Sequence, residues 1–84
     1  MPDTVHSHDL IMREIDPMGF SQRARKVLEK CDRLVNFYIT ARPDQQHITL
    51  FPEDYKLLSK ALKKNKQDIR KVTYRGFRLS RAGA

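Results

Sequence analysis

The stretch that most constrains the fold is Ile48 to Leu79, ITLFPEDYKLLSKALKKNKQDIRKVTYRGFRL. Its end, Val72-Thr73-Tyr74 and Phe77-Arg78-Leu79 around Arg75-Gly76, has the pattern of a β-hairpin with a two-residue turn. Glycine at the second turn position accepts the positive φ that such a turn needs. With this loop length Tyr74 faces Phe77 and Val72 faces Leu79. All four apolar side chains then share one face, and Thr73 and Arg78 share the other. One bent strand with a bulge at Gly76 is the alternative that the sequence leaves open.

The elements before the hairpin follow from periodicity. His47 to Leu50 alternates, with Ile48 and Leu50 on one face, and reads as a short strand. Pro52 opens a helix at its first position, with Glu53 and Asp54 at its start and Lys60, Lys63 and Lys64 near its end. Its apolar stripe is Phe51, Tyr55, Leu58, Ala61 and Leu62. Asp54 is expected to close a capping box, and Asn65 to act as a left-handed C-terminal cap. Upstream, Phe20, Ala24, Val27, Leu28, Cys31, Leu34, Val35 and Tyr38 recur at intervals of three and four, predicting an amphipathic helix over 17–41. Asp16-Pro17 is one start signal and Ser21 a second. Arg42-Pro43 stops this helix. Residues 1–9 are polar and are expected to form a mobile tail. Leu10, Ile11, Met12 and Ile15 are expected to pack as one helical turn.

These readings predict one small α+β domain over 10–81, with a frayed end over 82–84. The element order is α-β-α-β-β, with both helices on one face of a three-stranded sheet that ends in a basic hairpin. An 84-residue chain buries a thin core, and oligomerisation commonly supplements one.

The net charge of +7 is unevenly spread. From Lys56 onward, ten basic residues face Asp68 alone; before it, seven basic residues face nine acidic ones. Lys56, Lys60 and Lys63 fall opposite the apolar stripe of the second helix. Lys71 and Arg78 fall on the outer hairpin face, and Arg75 at its tip. Together these six are the candidate nucleic-acid-binding residues, one basic surface that would track phosphates of DNA or RNA. A solvated helix face and a charge-protected edge hairpin would use the same residues. The leading expectation is a non-enzymatic nucleic-acid-binding accessory or regulatory protein. The alternative is a protein-interaction module, a homodimer or an adaptor for an acidic partner. Phe37 and Ile39 are its candidate dimer contacts, because they widen the apolar arc at the end of the first helix.

No catalytic set, glycine-rich phosphate loop or small-molecule site can be assembled from these residue types and spacings. Cys31 falls in an apolar stripe, where a thiol behaves as a small hydrophobe. His6 and His8, even with His47, fall short of the four ligands of a structural zinc site, so no metal or cofactor is expected. Tyr74 and Phe77 could stack bases, but the hairpin register sends them to the core. With one cysteine, no spanning apolar run and no secretion signal at the N-terminus, a cytoplasmic location is expected.

The element order resembles that of the winged-helix family, with VTYRGFRL placed like the wing. That family reads the major groove with a separate recognition helix, and only Lys66 to Arg70 stands in its place here. ITLFPEDYKLL resembles the strand-then-helix opening of ribbon-helix-helix repressors, which continue with a second helix where this chain continues with VTYRGFRL. The chain is assigned to neither family.

Overall fold

The computed structural model describes residues 12–83. The expected tail over 1–9, with His6 and His8, lies outside the described residues, as do Leu10, Ile11 and Ala84. The elements run β1 (Arg13–Glu14), α1 (Gln22–Ala41), β2 (His47–Leu50), α2 (Pro52–Lys64), a 3-10 turn (Ile69–Lys71), β3 (Val72–Tyr74) and β4 (Phe77–Arg81). Two helices and a mixed sheet make the expected α+β class.

The sheet has four strands, not three, in the order β1-β3-β4-β2. The added edge strand, Arg13–Glu14, replaces the helical turn expected around Met12 to Ile15. It pairs parallel with β3, Arg13 opposite Val72 and Glu14 opposite Thr73. The chain then stays in the ladder through the Ile15 amide, which donates to the Thr73 carbonyl at 2.9 Å. β2 pairs parallel with β4, His47 opposite Arg78 and Leu50 opposite Arg81.

The hairpin has the predicted register, with Tyr74 opposite Phe77 and Thr73 opposite Arg78. Arg75 and Gly76 both take positive φ, +52° and +86°, which makes the turn type I′ and excludes the bulge. Helix α1 starts five residues later than Asp16-Pro17 predicts. Gly19 at φ +77° interrupts the helical path, and Ser21 Oγ accepts the Ala24 amide at 3.2 Å as the cap. Asp16 and Pro17 instead form a turn, in which Asp16 Oδ1 accepts the Met18 amide at 3.0 Å.

At the end of α2 the left-handed residue is Lys66, at φ +59°, and not Asn65. The amides of Lys66 and Gln67 donate to the carbonyls of Lys63 and Leu62, the crossed pair of a Schellman motif. Asn65 is thereby released to bind elsewhere: its Nδ2 donates to the carbonyls of Asp16 and Met18 at 2.8 and 2.9 Å.

Both helices cover one face of the sheet. The core joins Val27, Leu28, Cys31 and Val35 of α1 and Leu58 and Leu62 of α2 to Ile48, Leu50, Val72 and Leu79 of the sheet. Ile15, Phe20, Ala24 and Ile69 complete it, and Leu34, Tyr38, Tyr55, Tyr74 and Phe77 pack against it. No polar or charged side chain is buried among the described residues. Phe51 departs from the stripe assigned to it: it is the N-cap of α2, outside the helical turns, and is 70 % exposed.

Candidate nucleic-acid interface

The six residues expected to share one basic surface occupy four places. Lys56, Lys60 and Lys63 are exposed on α2, on the side away from Leu58 and Leu62. Arg78 projects from the opposite side of the sheet, because it lies beside Thr73 and His47 on the face that neither α1 nor α2 covers. Lys71 is exposed at the end of the 3-10 turn leading into β3. A helix packed on one sheet face and side chains projecting from the other cannot form a continuous patch, which corrects the single-surface expectation.

Arg75 is committed to the fold. Its guanidinium bonds Asp32 Oδ1 at 3.3 Å and Asn36 Oδ1 at 3.0 Å, both on α1. Its amide donates to Glu14 Oε2 at 2.6 Å, and Thr73 Oγ1 donates to Glu14 Oε1 at 3.3 Å. The hairpin tip is therefore held by β1 on one side and α1 on the other. Tyr74 adds to this clamp through its hydroxyl, which donates to Asp32 Oδ1 at 2.8 Å. Burial, reinforced by that hydrogen bond, pushes the Tyr74 phenol up to about 12.

The larger basic surface lies on the helix layer. Arg23, Lys26, Lys30 and Arg33 recur at intervals of three and four on α1, and all are exposed. At about 100° per residue they form one stripe beside the apolar one. Lys30 fixes where this stripe points, since its Nζ reaches Asp54 Oδ2 of α2 at 3.1 Å. That pair also explains why the capping box is absent: Phe51 is the N-cap of α2 with no side-chain hydrogen bond, and Asp54 serves α1 instead. At the far end of α2, Asn65 binds the segment that leads into α1. The two attachments make the helices antiparallel neighbours, so the α1 stripe adjoins the outward face of α2.

The outer surface of the layer thus carries Arg23, Lys26, Lys30 and Arg33 from α1 and Lys56, Lys60, Lys63 and Lys64 from α2. The acidic residues there are Glu29, Glu53 and Asp54. Among the described residues, only Lys30 of these eight cations is in an ion pair. The sheet face offers less, with Arg78 among Thr49, Thr73, Ser80, His47 and Glu14, and with Arg70, itself paired with Asp68, lining a shallow hollow beside Arg78 and His47. The four cations of α1 were absent from the expected site. Their spacing was visible, but their adjacency to α2 depends on tertiary packing.

Phe37 and Ile39, the candidate dimer contacts, are 55 % and 56 % exposed. Two residues apart on a helix, they point about 200° apart and do not form one patch. Phe37 falls within the basic stripe, four residues beyond Arg33. Its ring meets Tyr38 edge-on at 5.9 Å, and Tyr38 stacks on Phe77 at 5.9 Å.

Cys31 is fully buried, and burial pushes its thiol up to about 11, the opposite of an activated nucleophile. Asp68 is held down to about 2, chiefly by its hydrogen bonds from Arg70, whose guanidinium lies 2.9 Å away. No helix of the described residues is long and apolar enough to cross a membrane. Compared with protein-family models, curated proteins and solved structures, the chain matches none.

Proposed function

We propose that this protein is a non-enzymatic, nucleic-acid-binding accessory or regulatory domain that holds the phosphodiester backbone on the outer surface of its two helices. The observation that carries the reading is the pairing of two basic stripes on adjacent antiparallel helices. Seven of their eight cations have no ion-pair partner among the described residues. A row of lysines and arginines on a rigid surface gains affinity by releasing counterions condensed on a polyanion, whatever its base sequence. Lys56, Lys60 and Lys63 keep their expected role, joined by Arg23, Lys26, Arg33 and Lys64. Arg75 serves the fold, and Lys71 and Arg78 stand apart.

The alternative of a homodimer through Phe37 and Ile39 is weaker on two counts. The two side chains diverge, and a two-fold contact on Phe37 would bring two sets of like charges together. The test is a titration of labelled duplex and labelled single strand at low and moderate salt. The reading expects micromolar binding at low salt that weakens steeply as salt rises. Absence of binding to either probe at low salt overturns it.

A further inference from the structure

We infer that the helix layer takes single-stranded nucleic acid in preference to duplex, with bases stacking on Phe37 and Phe51 while Arg33 and its neighbours hold the phosphates. This deepens the proposed function and rests on it. The starting point is that the most exposed phenyl rings, Phe37 and Phe51, belong to the same end of the two-helix layer. The Lys30–Asp54 ion pair marks where the helices meet. Phe37 lies seven residues beyond Lys30, two turns and about 10 Å along α1. Phe51 lies three residues before Asp54, on the segment entering α2. Because the helices are antiparallel, both rings fall on the same side of that ion pair, and Arg33 lies between Lys30 and Phe37.

Single exposed apolar residues are ordinary on protein surfaces, but two phenyl rings at the same end of one charged layer offer apolar contact area together. The charge around these two selects the partner. A second copy of this chain would bring the same cations against its own, whereas a polyanion neutralises them. A duplex keeps its bases stacked inward and has no use for a phenyl platform. A single strand presents base faces to aromatic rings and phosphates to lysine and arginine at once, and stacking of this kind tolerates any sequence. Phe37 is also braced for the role, since Tyr38 and Phe77 back it in a continuous aromatic row.

The experiment uses the full chain with a labelled oligothymidylate and a labelled duplex of equal length, followed by anisotropy. The wild type should bind the single strand more tightly. Phe37→Ala and Phe51→Ala should each weaken single-strand binding by at least about five-fold. Duplex affinity and the salt slope should stay unchanged. Phe37→Leu should behave like the alanine variant, because it keeps apolar area and loses the π face. The chain contains no tryptophan, so Phe37→Trp and Phe51→Trp place a sole reporter whose emission should be quenched by the single strand. Equal binding of both probes, unchanged by the phenylalanine substitutions, overturns this inference and leaves the polyanion reading standing. Binding of neither probe removes both. A dimer that Phe37→Ala converts to monomer, with nucleic-acid affinity unaltered, assigns the ring to self-association and overturns the inference as well.

Discussion

Tyr74 and Asp32 meet across the interface between hairpin and helix, the phenol donating to the carboxylate at 2.8 Å. The same carboxylate oxygen accepts from Arg75 at 3.3 Å. One acidic side chain on α1 therefore fixes both the last residue of β3 and the first residue of the turn. The tip is a structural joint, and its arginine is paired within the fold while staying partly exposed. Tyr74→Phe should lower stability by about 1.5–3 kcal/mol, the range for a hydrogen bond to a charged acceptor. A urea unfolding midpoint that does not move would show that this joint carries no energy.

Stability should fall in alkaline solution. Burial raises Cys31 from 9.0 to about 11 and Tyr74 from 10.0 to about 12. In each case the unfolded chain gives up its proton first, so the stabilisation is complete below the unfolded value and is lost as pH rises through the folded one. The decline should begin near pH 9 and continue towards 12. The double variant Cys31→Ala, Tyr74→Phe should flatten the pH profile of the thermal midpoint across that window, whatever its stability at neutral pH.

Gly76 sits at φ +86° with nothing within 4 Å of where a Cβ would stand. The cost of a side chain there is purely conformational. Gly76→Ala should destabilise by about 1–2 kcal/mol, the penalty for placing an L-residue in the left-handed region. A larger loss, measured by chemical denaturation, would mean that the turn also makes contacts the open space does not indicate.

Leu58 has no exposed surface and lies in the core that both helices share with the sheet. Leu58→Ala should cost about 2–5 kcal/mol through reduced burial and the cavity left behind. In a domain of this size that is a large part of the total stability. Loss of the cooperative thermal transition, or a large fall in its midpoint, is the expected readout.

Much of this architecture was legible because the signals are local. The Tyr74–Phe77 register follows from turn length, and the buried stripe of α1 follows from spacing. The fourth strand was not legible, since two residues with no alternation carry no strand signal and their parallel partner lies far along the chain. Asp54 was misassigned for a related reason, and Asn65, which does cap α2, was misassigned only in its left-handed conformation and in the use of its side chain. Each suits a local cap, and each is taken by a distant group, Asp54 by Lys30 and Asn65 by the carbonyls of Asp16 and Met18. The candidate site was half legible. Lys56, Lys60 and Lys63 were placed correctly on the outside of α2, but grouping them with Arg78 ignored that the helices cover the other face of the sheet.

The most direct test of the helix-layer claim compares salt slopes of nucleic-acid binding for two sets of charge removals. One variant carries Lys26→Gln, Arg33→Gln, Lys60→Gln and Lys64→Gln on the helices, and the other Lys71→Gln and Arg78→Gln. Each phosphate that a variant no longer neutralises should reduce the slope of log affinity against log salt by roughly 0.7 to 0.9. The account predicts a shallower slope and weaker low-salt binding for the helix variant, with the Lys71 and Arg78 variant indistinguishable from wild type. A wild-type slope in the helix variant, with the weakening found in the Lys71 and Arg78 variant instead, would contradict it.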